Sequence, residues 1–363
     1  MEFGLNDDQR MMQESVERTL ERLCPLDRAR AAADGHEPVA RDVWQGLVEL
    51  GVTGLMVPEE HGGLGLGLLD AALVAESLGR HVAPVPFAAT AIMAPVALAK
   101  AGSSAQQAHW LPRLAAGEAI AGVAIAEAVS GSRDGAGIVA AAGRLNGRAL
   151  FAMDALAADL LVVADRAGGL HLVAGDAAGL TRTELVSIDR TRPLAELAFA
   201  DTPAEPLASG DAAAALAAMR DAGWVALAAD TLGAGSRMIE KAVAYALERR
   251  QFGRAIATFQ AVKHMCAEMA AELEPCRSLV WYAAHAIGHV PEDSSLSAAH
   301  AKAHLSEVGR FVARTATEVH GGMGMTDLLG LHLWFKRIGL DRQLLGGPEH
   351  VRLIAARLQG LAA

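Results

Sequence analysis

Gly122-Val-Ala-Ile-Ala126, Leu160-Leu-Val-Val-Ala164, Leu170-His-Leu-Val-Ala174 and Leu197-Ala-Phe-Ala200 are the runs on which the fold turns. Each is four or five residues long, and Gly, Asp and Asn punctuate the chain between them. Short apolar runs between turn formers read as β-strands. They predict a small β-domain over about residues 121–205. Leu145-Asn146-Gly147 adds a hairpin signal.

On both sides the period is helical. Asn6 and Asp7 are placed to cap a first helix, whose Met12, Val16, Leu20 and Leu23 recur every three or four residues up to Pro25. A second helix carries Val43, Leu47 and Leu50 and stops at Gly51. A Gly-rich loop follows over 57–63, then helices to about Gly117. Beyond 210, Val262, Met265, Met269, Leu273, Cys276 and Val280 form one stripe. Ala212–Leu247, Phe259–Gly288 and Ser297–His320 read as long antiparallel helices, with a last one from about Glu349 to Leu361. The expected architecture is mainly α with a central β-domain: an N-terminal helical domain over 1–120, the β-domain over 121–205, and a helical bundle over 206–363.

Composition narrows the function classes. The chain has 363 residues, 32 Lys+Arg against 42 Asp+Glu, and a net charge of −10. That balance argues against a nucleic-acid or anionic-membrane footprint. Cys24, Cys266 and Cys276 form no Cys-x-x-Cys pair, so neither a disulfide framework nor a zinc ribbon is indicated. The N-terminal residues show no basic segment followed by an apolar run. The longest apolar stretch, Pro86 to Ala99, contains Pro95 and is too short to span a bilayer. The expectation is a soluble cytoplasmic protein without a membrane span.

The familiar nucleotide-loop, nucleophile-elbow and zinc-protease signatures are absent. His285/His289 and His300/His304 are i, i+4 pairs, but no carboxylate in the same turn completes a metal set, so no metal is expected. Arg249, Arg250 and Arg254 cluster at a helix end beside Gly253. They suit a helix dipole or a phosphate clamp equally well. Gly321, Gly322 and Gly324 suit either a helix-terminating turn or a ligand lying on the backbone.

Taken together, these segments resemble the acyl-CoA dehydrogenase flavoprotein family along nearly the whole chain. Glu49-Leu-Gly-Val-Thr-Gly-Leu-Met-Val-Pro-Glu-Glu-His-Gly-Gly-Leu-Gly65, continuing to Glu76-Ser-Leu-Gly-Arg80, is similar to the family's N-terminal signature. Arg249-Arg-Gln-Phe-Gly253 through Phe259-Gln260 is similar to its R-x-x-F-G…F-Q motif. His320-Gly-Gly-Met-Gly-Met-Thr326, followed by Phe335-Lys336-Arg337, is similar to its C-terminal G-G-x-G segment. The pattern is most like the small, base-free subunits seen with pimeloyl-CoA dehydrogenases and actinobacterial steroid side-chain enzymes.

The resemblance implies helices, a β-domain and a four-helix bundle, with FAD at a subunit interface. It implies an acyl-CoA substrate, an electron-transfer acceptor protein, and a tetramer built with itself or a paralogous subunit. Carried over residue by residue, Arg249 and Gln260 would reach the diphosphate and adenine side of a neighbour's FAD. Phe252 would pack near the cofactor, and Glu318, Gly321 and Gly322 would lie along its adenosine end. The 81–98 segment would line an acyl pocket, where small side chains would leave room for a bulky acyl group.

The departures matter as much. The chemistry needs a carboxylate to take the α-proton of an acyl thioester. The two family positions for that base fall on Leu345 and Gly223, and neither can accept a proton. Asp327 and Asp221 are nearby acids at no established position, so the catalytic residue is unknown. The flavin segment appears as Ala126-Glu-Ala-Val-Ser-Gly-Ser-Arg133, without its Thr, Pro and Asp. Asn146-Gly-Arg-Ala-Leu-Phe151-Ala-Met153 has Phe151 for Trp and Met153 for Thr. The expected function is α,β-dehydrogenation of an acyl-CoA as the flavin-clamping subunit of a heteromeric enzyme. The alternatives are a self-sufficient homo-oligomer with an unusual base, or a flavin-free structural partner.

Overall fold

A computed structural model describes residues 4–133 and 135–362. Met1–Phe3, Asp134 and Ala363 lie outside the described residues, and with them the outer ends of the expected 1–120 and 206–363 regions. The N-terminal part holds α1 (Asp7–Leu23), α2 (Leu26–Asp34), α3 (Arg41–Glu49) and α4 (Leu68–Arg80). A π-helical stretch, Ala88–Met93, runs into α5 (Ala94–Ala101), and α6 (Ser104–Ala115) follows. Asn6 caps α1 by accepting from Gln9 N at 2.8 Å, while the Gln9 side chain accepts from Asn6 N. This capping box satisfies two orphan donors at once. Val16 and Leu20 are fully buried, as the three-to-four spacing requires.

The sheet contains β1 (Ala121–Ala124), β2 (Gly137–Ala141), β3 (Arg144–Met153), β4 (Leu160–Ala164), β5 (Leu170–Ala174), β6 (Leu180–Leu185), β7 (Leu194–Pro203) and β8 (Glu205–Pro206). Its order is β6-β7-β3-β1-β4-β5-β8, with β2 paired to β3. Only β1 and β4 are parallel. Side chains alternate between two cores. Leu161, Val163, Leu197 and Phe199 enclose a small one, while Leu160, Val162 and Leu172 face the main one.

Two sequence expectations fail here. The run 122–126 ends as a strand at Ala124, because Ala126–Ser130 coils into α7. Asn146-Gly147 is not the hairpin turn, which falls on Ala142 (φ +48°) and Gly143 (φ +71°). Asn146 and Gly147 instead sit inside β3 at a bulge against β7. There Asn146 Oδ1 accepts from Asp201 N at 2.8 Å. Gly147 has φ +123°, and a Cβ there would lie 2.3 Å from Gly137 O. The same dipeptide serves a bulge as well as a turn, because both need positive φ.

The C-terminal part is α8 (Ala212–Glu248), the hairpin β9 (Arg250–Gln251) and β10 (Arg254–Ala255), α9 (Gln260–His289), α10 (Pro291–His320), α11 (Leu331–Gln343) and α12 (Pro348–Leu358). α8 is long and apolar enough to cross a membrane. It is, however, the central helix of the bundle, with every residue from Asp221 to Gly235 buried. Glycine lets α4 meet it backbone to backbone. A Cβ on Gly79 would lie 2.0 Å from Asp230 O, and one on Gly233 would lie 1.8 Å from Glu76 O.

Buried charges join sheet to bundle. The guanidinium of Arg337 on α11 donates to Asp189 Oδ2 at 2.7 Å, Asp230 Oδ2 at 3.2 Å, Thr191 Oγ1 at 2.6 Å and Thr191 O at 3.1 Å. Arg192 bonds Asp230 at 2.6 Å and also Asp341. Lys302 donates to the Asp341 carbonyl, and burial pushes its ammonium pKa down to about 7. Asp154, held in left-handed backbone at φ +55°, accepts from Ala89 N at 3.2 Å. Burial raises its carboxyl to about 6, against the pull of Arg192.

Two outcomes follow. Gly233→Ala should cost at least about 1–3 kcal/mol in thermal or denaturant unfolding, because its methyl meets backbone rather than a side-chain end. Gly288→Ala, with open space around it, should be neutral or stabilising by up to about 1 kcal/mol. The Asp154 carboxyl binds its proton more tightly folded than unfolded. Its contribution to stability is therefore present below about 3.8 and lost as pH rises through about 6. Asp154→Asn should gain on the native chain over that window by on the order of 2 kcal/mol. Parallel unfolding curves at pH 4 and pH 7 would contradict this.

Candidate functional site

One end of the bundle gathers the residues singled out in the sequence. α8 ends at Arg249, whose N–H donates to Tyr245 O at 2.8 Å and whose carbonyl accepts from Ile256 N at 2.8 Å. The chain then makes a two-residue hairpin, with Gln251 opposite Arg254. Phe252 (φ +52°) and Gly253 (φ +78°) form its turn, the positive-φ geometry of a type I′ loop. A phenylalanine in that conformation is strained, and its ring is 92% exposed. The Arg254 guanidinium lies 4.0 Å over the Phe259 ring, and Phe252 meets that ring edge-on at 6.1 Å. Gln260 opens α9 at the foot of the hairpin, exposed.

The glycine segment is brought to the same end. Tyr245 stacks on His320 at 4.6 Å, which joins the last turns of α8 to the end of α10. Burial lowers the His320 pKa and keeps the ring neutral. Gly321 takes φ +58°, and a Cβ on Gly321 or Gly322 would meet nothing within 4 Å. Glu318 is exposed and pairs loosely with Arg314 at 3.7 Å. Among the described residues, Arg249, Arg250 and Arg254 have no carboxylate partner. Three unpaired guanidinium groups, an open glycine turn and an exposed strained aromatic fit the diphosphate and adenosine end of a dinucleotide.

A second site lies between sheet and bundle. Its cleft is walled by the 126–131 segment, Phe151, Leu185–Ser187, Leu194 and the Leu340–Leu345 end of α11. Phe151 (φ +55°) and Leu345 (φ +57°) are both held in left-handed backbone. Of its polar side chains, Glu127 and Ser130 are committed to the chain itself, while Arg133, Ser187 and Gln343 also line the cleft. Glu127 Oε1 accepts from Leu150 N at 2.7 Å, and Ser130 Oγ donates to Ala126 O at 2.8 Å. Met153 is buried, 1% exposed, away from the cleft wall.

Leu345 and Gly223 converge on one point. A Cβ on Gly223 would lie 2.7 Å from Leu345 Cδ1 and 3.1 Å from Met93 Sδ. Trp224 Nε1 donates to Leu345 O at 2.9 Å and holds the loop there. A carboxylate at either position would enter the same volume, which apolar atoms fill. Asp221, two residues earlier on α8, points instead to Arg220 (2.7 Å) and Ser295, and burial raises its carboxyl. Asp327 is exposed and pairs with His332 at 2.9 Å. Neither lines the cleft. Among the described residues, the carboxylate that does is Glu127, which sequence reasoning quoted but did not weigh as a base. Of the expected acyl-pocket segment, Ala83, Val85, Phe87 and Ala88 border a small cavity with Leu78, Asp154, Arg192 and Leu227. From Ala89 to Ala94 every residue has zero exposure, and the Thr90 hydroxyl is tied to Ala121. Small side chains in this stretch serve close packing rather than an open cavity.

The comparisons with known proteins agree with this layout. The N-terminal domain profile of acyl-CoA dehydrogenases matches residues 6–118, and the C-terminal domain profile matches residues 213–359. Acyl-CoA dehydrogenase IpdE2 of Mycolicibacterium smegmatis is 30% identical over 98% of this chain and 100% of its own length. IpdE2 of Mycobacterium tuberculosis is 31% identical over 95% of each. Among solved structures, the ChsE4-ChsE5 complex from Mycobacterium tuberculosis superposes with a TM-score of 0.89 at 25% identity, covering 100% of both chains. The Tcur3481-Tcur3483 steroid ACAD superposes at 0.87 with 28% identity, covering 98% of both.

If Phe252 serves a bound molecule rather than the fold, Phe252→Asn should leave the lone chain's stability unchanged or improved by up to about 1 kcal/mol, since Asn tolerates left-handed backbone. A loss above about 1 kcal/mol in thermal unfolding would mean that the ring packs within the chain.

Proposed function

The chain belongs to the acyl-CoA dehydrogenase family, whose enzymes oxidise the CH–CH bond of acyl-CoA thioesters with FAD, and we propose that it acts as the flavin-clamping subunit of a heteromeric member. The carrying observation is a contrast between its two ends. Arg249, Arg250 and Arg254 stand unpaired beside the open Gly321-Gly322 turn, while the point where Gly223 meets Leu345 is apolar. The chain is equipped to grip the phosphate end of a dinucleotide and, among the described residues, holds no carboxylate at the point where Gly223 meets Leu345.

The division of labour follows. Arg249 neutralises the diphosphate with a fork of N–H donors, Gln260 adds a neutral hydrogen bond, and Phe252 gives the neighbouring group an apolar face. Glu318 and the backbone of Gly321 and Gly322 line the adenosine. The carboxylate that removes the α-proton and the donors that hold the thioester oxygen come from the partner. FAD, when bound, supplies the acceptor for the hydride leaving the β-carbon, and the electrons pass on to an electron-transfer protein. A bulky, sterol-type acyl group is supported by the solved neighbour titled a steroid ACAD, and a two-chain assembly by the neighbour titled a complex. α8 is buried as the core helix of the bundle rather than free to span a membrane.

Purified alone, the chain should retain little flavin and turn over no acyl-CoA with an artificial electron acceptor. Co-expressed with its paralogue, it should hold one FAD per heterodimer by absorbance. Arg249→Ala should weaken FAD affinity by about 10- to 100-fold, the loss of one charge-assisted hydrogen bond to a diphosphate, whereas Arg250→Ala should have little effect. Full flavin and brisk turnover in the lone chain would favour a self-sufficient enzyme, and Glu127→Gln would then be the variant to test. Unchanged flavin in Arg249→Ala would remove the clamp.

A further inference from the structure

A second cationic pocket lies on α8, away from both sites. Arg237, Lys241, Tyr245 and Arg249 follow one another at four-residue intervals, so they share a helix face. Arg249 belongs to the hairpin end. Arg237 and Lys241 lie about 12–18 Å further back along the axis. They border a cavity closed by Arg80, by Trp334 and by Pro25-Leu26 where α2 begins, with Glu21 at its mouth.

Of the carboxylates nearby, Glu21 is solvent-exposed on the cavity edge, and the other two are spent. Glu240 bridges Arg80 at 2.7 Å and Arg237 at 3.1 Å. Glu17 is taken by His81 at 2.9 Å and by Arg80 at 3.6 Å. Lys241 is left over. Among the described residues no acid pairs with it; its Nζ instead sits 5.1 Å from the centre of the Trp334 ring. Burial and the Arg237 guanidinium lower its pKa, with no carboxylate pulling the other way. A half-buried ammonium beside a like charge lacks its counter-ion. α2 also opens onto the cavity without a side-chain cap, so the positive end of its dipole adds to the same field.

We propose that this cavity binds a small phosphate-bearing anion, with Lys241 as its central charge and Arg237 and Arg80 at its sides. A phosphate dianion matches an ammonium flanked by guanidinium groups that are only partly neutralised. The pocket is independent of the flavin clamp, from which Tyr245 and His320 separate it.

The test is calorimetric titration of the full chain, alone and assembled with its partner, with inorganic phosphate and pyrophosphate. Saturable binding is expected in the Arg249→Ala background. Lys241→Met should weaken it at least tenfold, and Lys241→Arg should restore it to within about threefold. Circular dichroism and unfolding curves matched to the native chain would confirm that the variants fold. Failure to see binding tighter than about 10 mM would overturn the proposal. So would equal affinity in Lys241→Met, or binding abolished by Arg249→Ala, which would place the phosphate on the clamp. Binding by the lone chain but not by the assembly would also overturn it, because an acidic side chain of the partner would then be the natural occupant.

Discussion

The guanidinium of Arg337 is the point on which the architecture depends. It is 1% exposed and donates to Ala83 O on the N-terminal side, to Asp189 and Thr191 between β6 and β7, and to Asp230 on α8. Three parts of the chain with separate hydrophobic patterns therefore share one buried cation. Such a group is costly to desolvate, and removing one partner of a buried pair costs more than the pair contributes. Its arrangement specifies how the sheet sits against the bundle, where a purely apolar interface would tolerate sliding. Arg192, Asp341 and Lys302 extend the same network.

That docking places the cleft. Leu185–Ser187 and Leu194 flank the segment that Arg337 grips, and Leu340–Leu345 continue the helix that carries Arg337. The wall of the cleft and the anchor of the sheet are thus parts of one construction. Within it, Leu345 and Phe151 keep unfavourable positive φ values although neither is glycine. Strain of that kind persists where surrounding packing over-determines the backbone, as the bond from Trp224 to Leu345 O does.

The hairpin end is built on the opposite principle. Among the described residues the Phe252 ring meets only the edge of Phe259, and no carboxylate neutralises Arg249, Arg250 or Arg254. Elsewhere some cations are held within the chain: Arg28 lies 2.8 Å from Glu37 and 2.6 Å from Asp42, and Arg342 reaches both Glu307 and Glu349.

The bounds of α8 and α9 and the strands 160–164 and 170–174 were legible in the sequence, because periodicity, capping and short apolar runs are local properties. The Asn146-Gly147 reading failed because positive φ serves a bulge as well as a turn, and only the register with β7 distinguishes them. The small residues of 81–98 divide in a way their sequence does not announce: 89–94 pack closely, while Ala83, Val85, Phe87 and Ala88 border a cavity. Sequence alone determined the family, the order of helices and sheet, and the absence of an acid at Leu345 and Gly223. Only the tertiary structure decided that these two positions, 122 residues apart, are the same point in space, that Asp221 and Asp327 face elsewhere, and that Lys241 lacks a counter-ion. Each depends on which distant side chains a fold brings within a few ångströms, and no spacing along the chain encodes that.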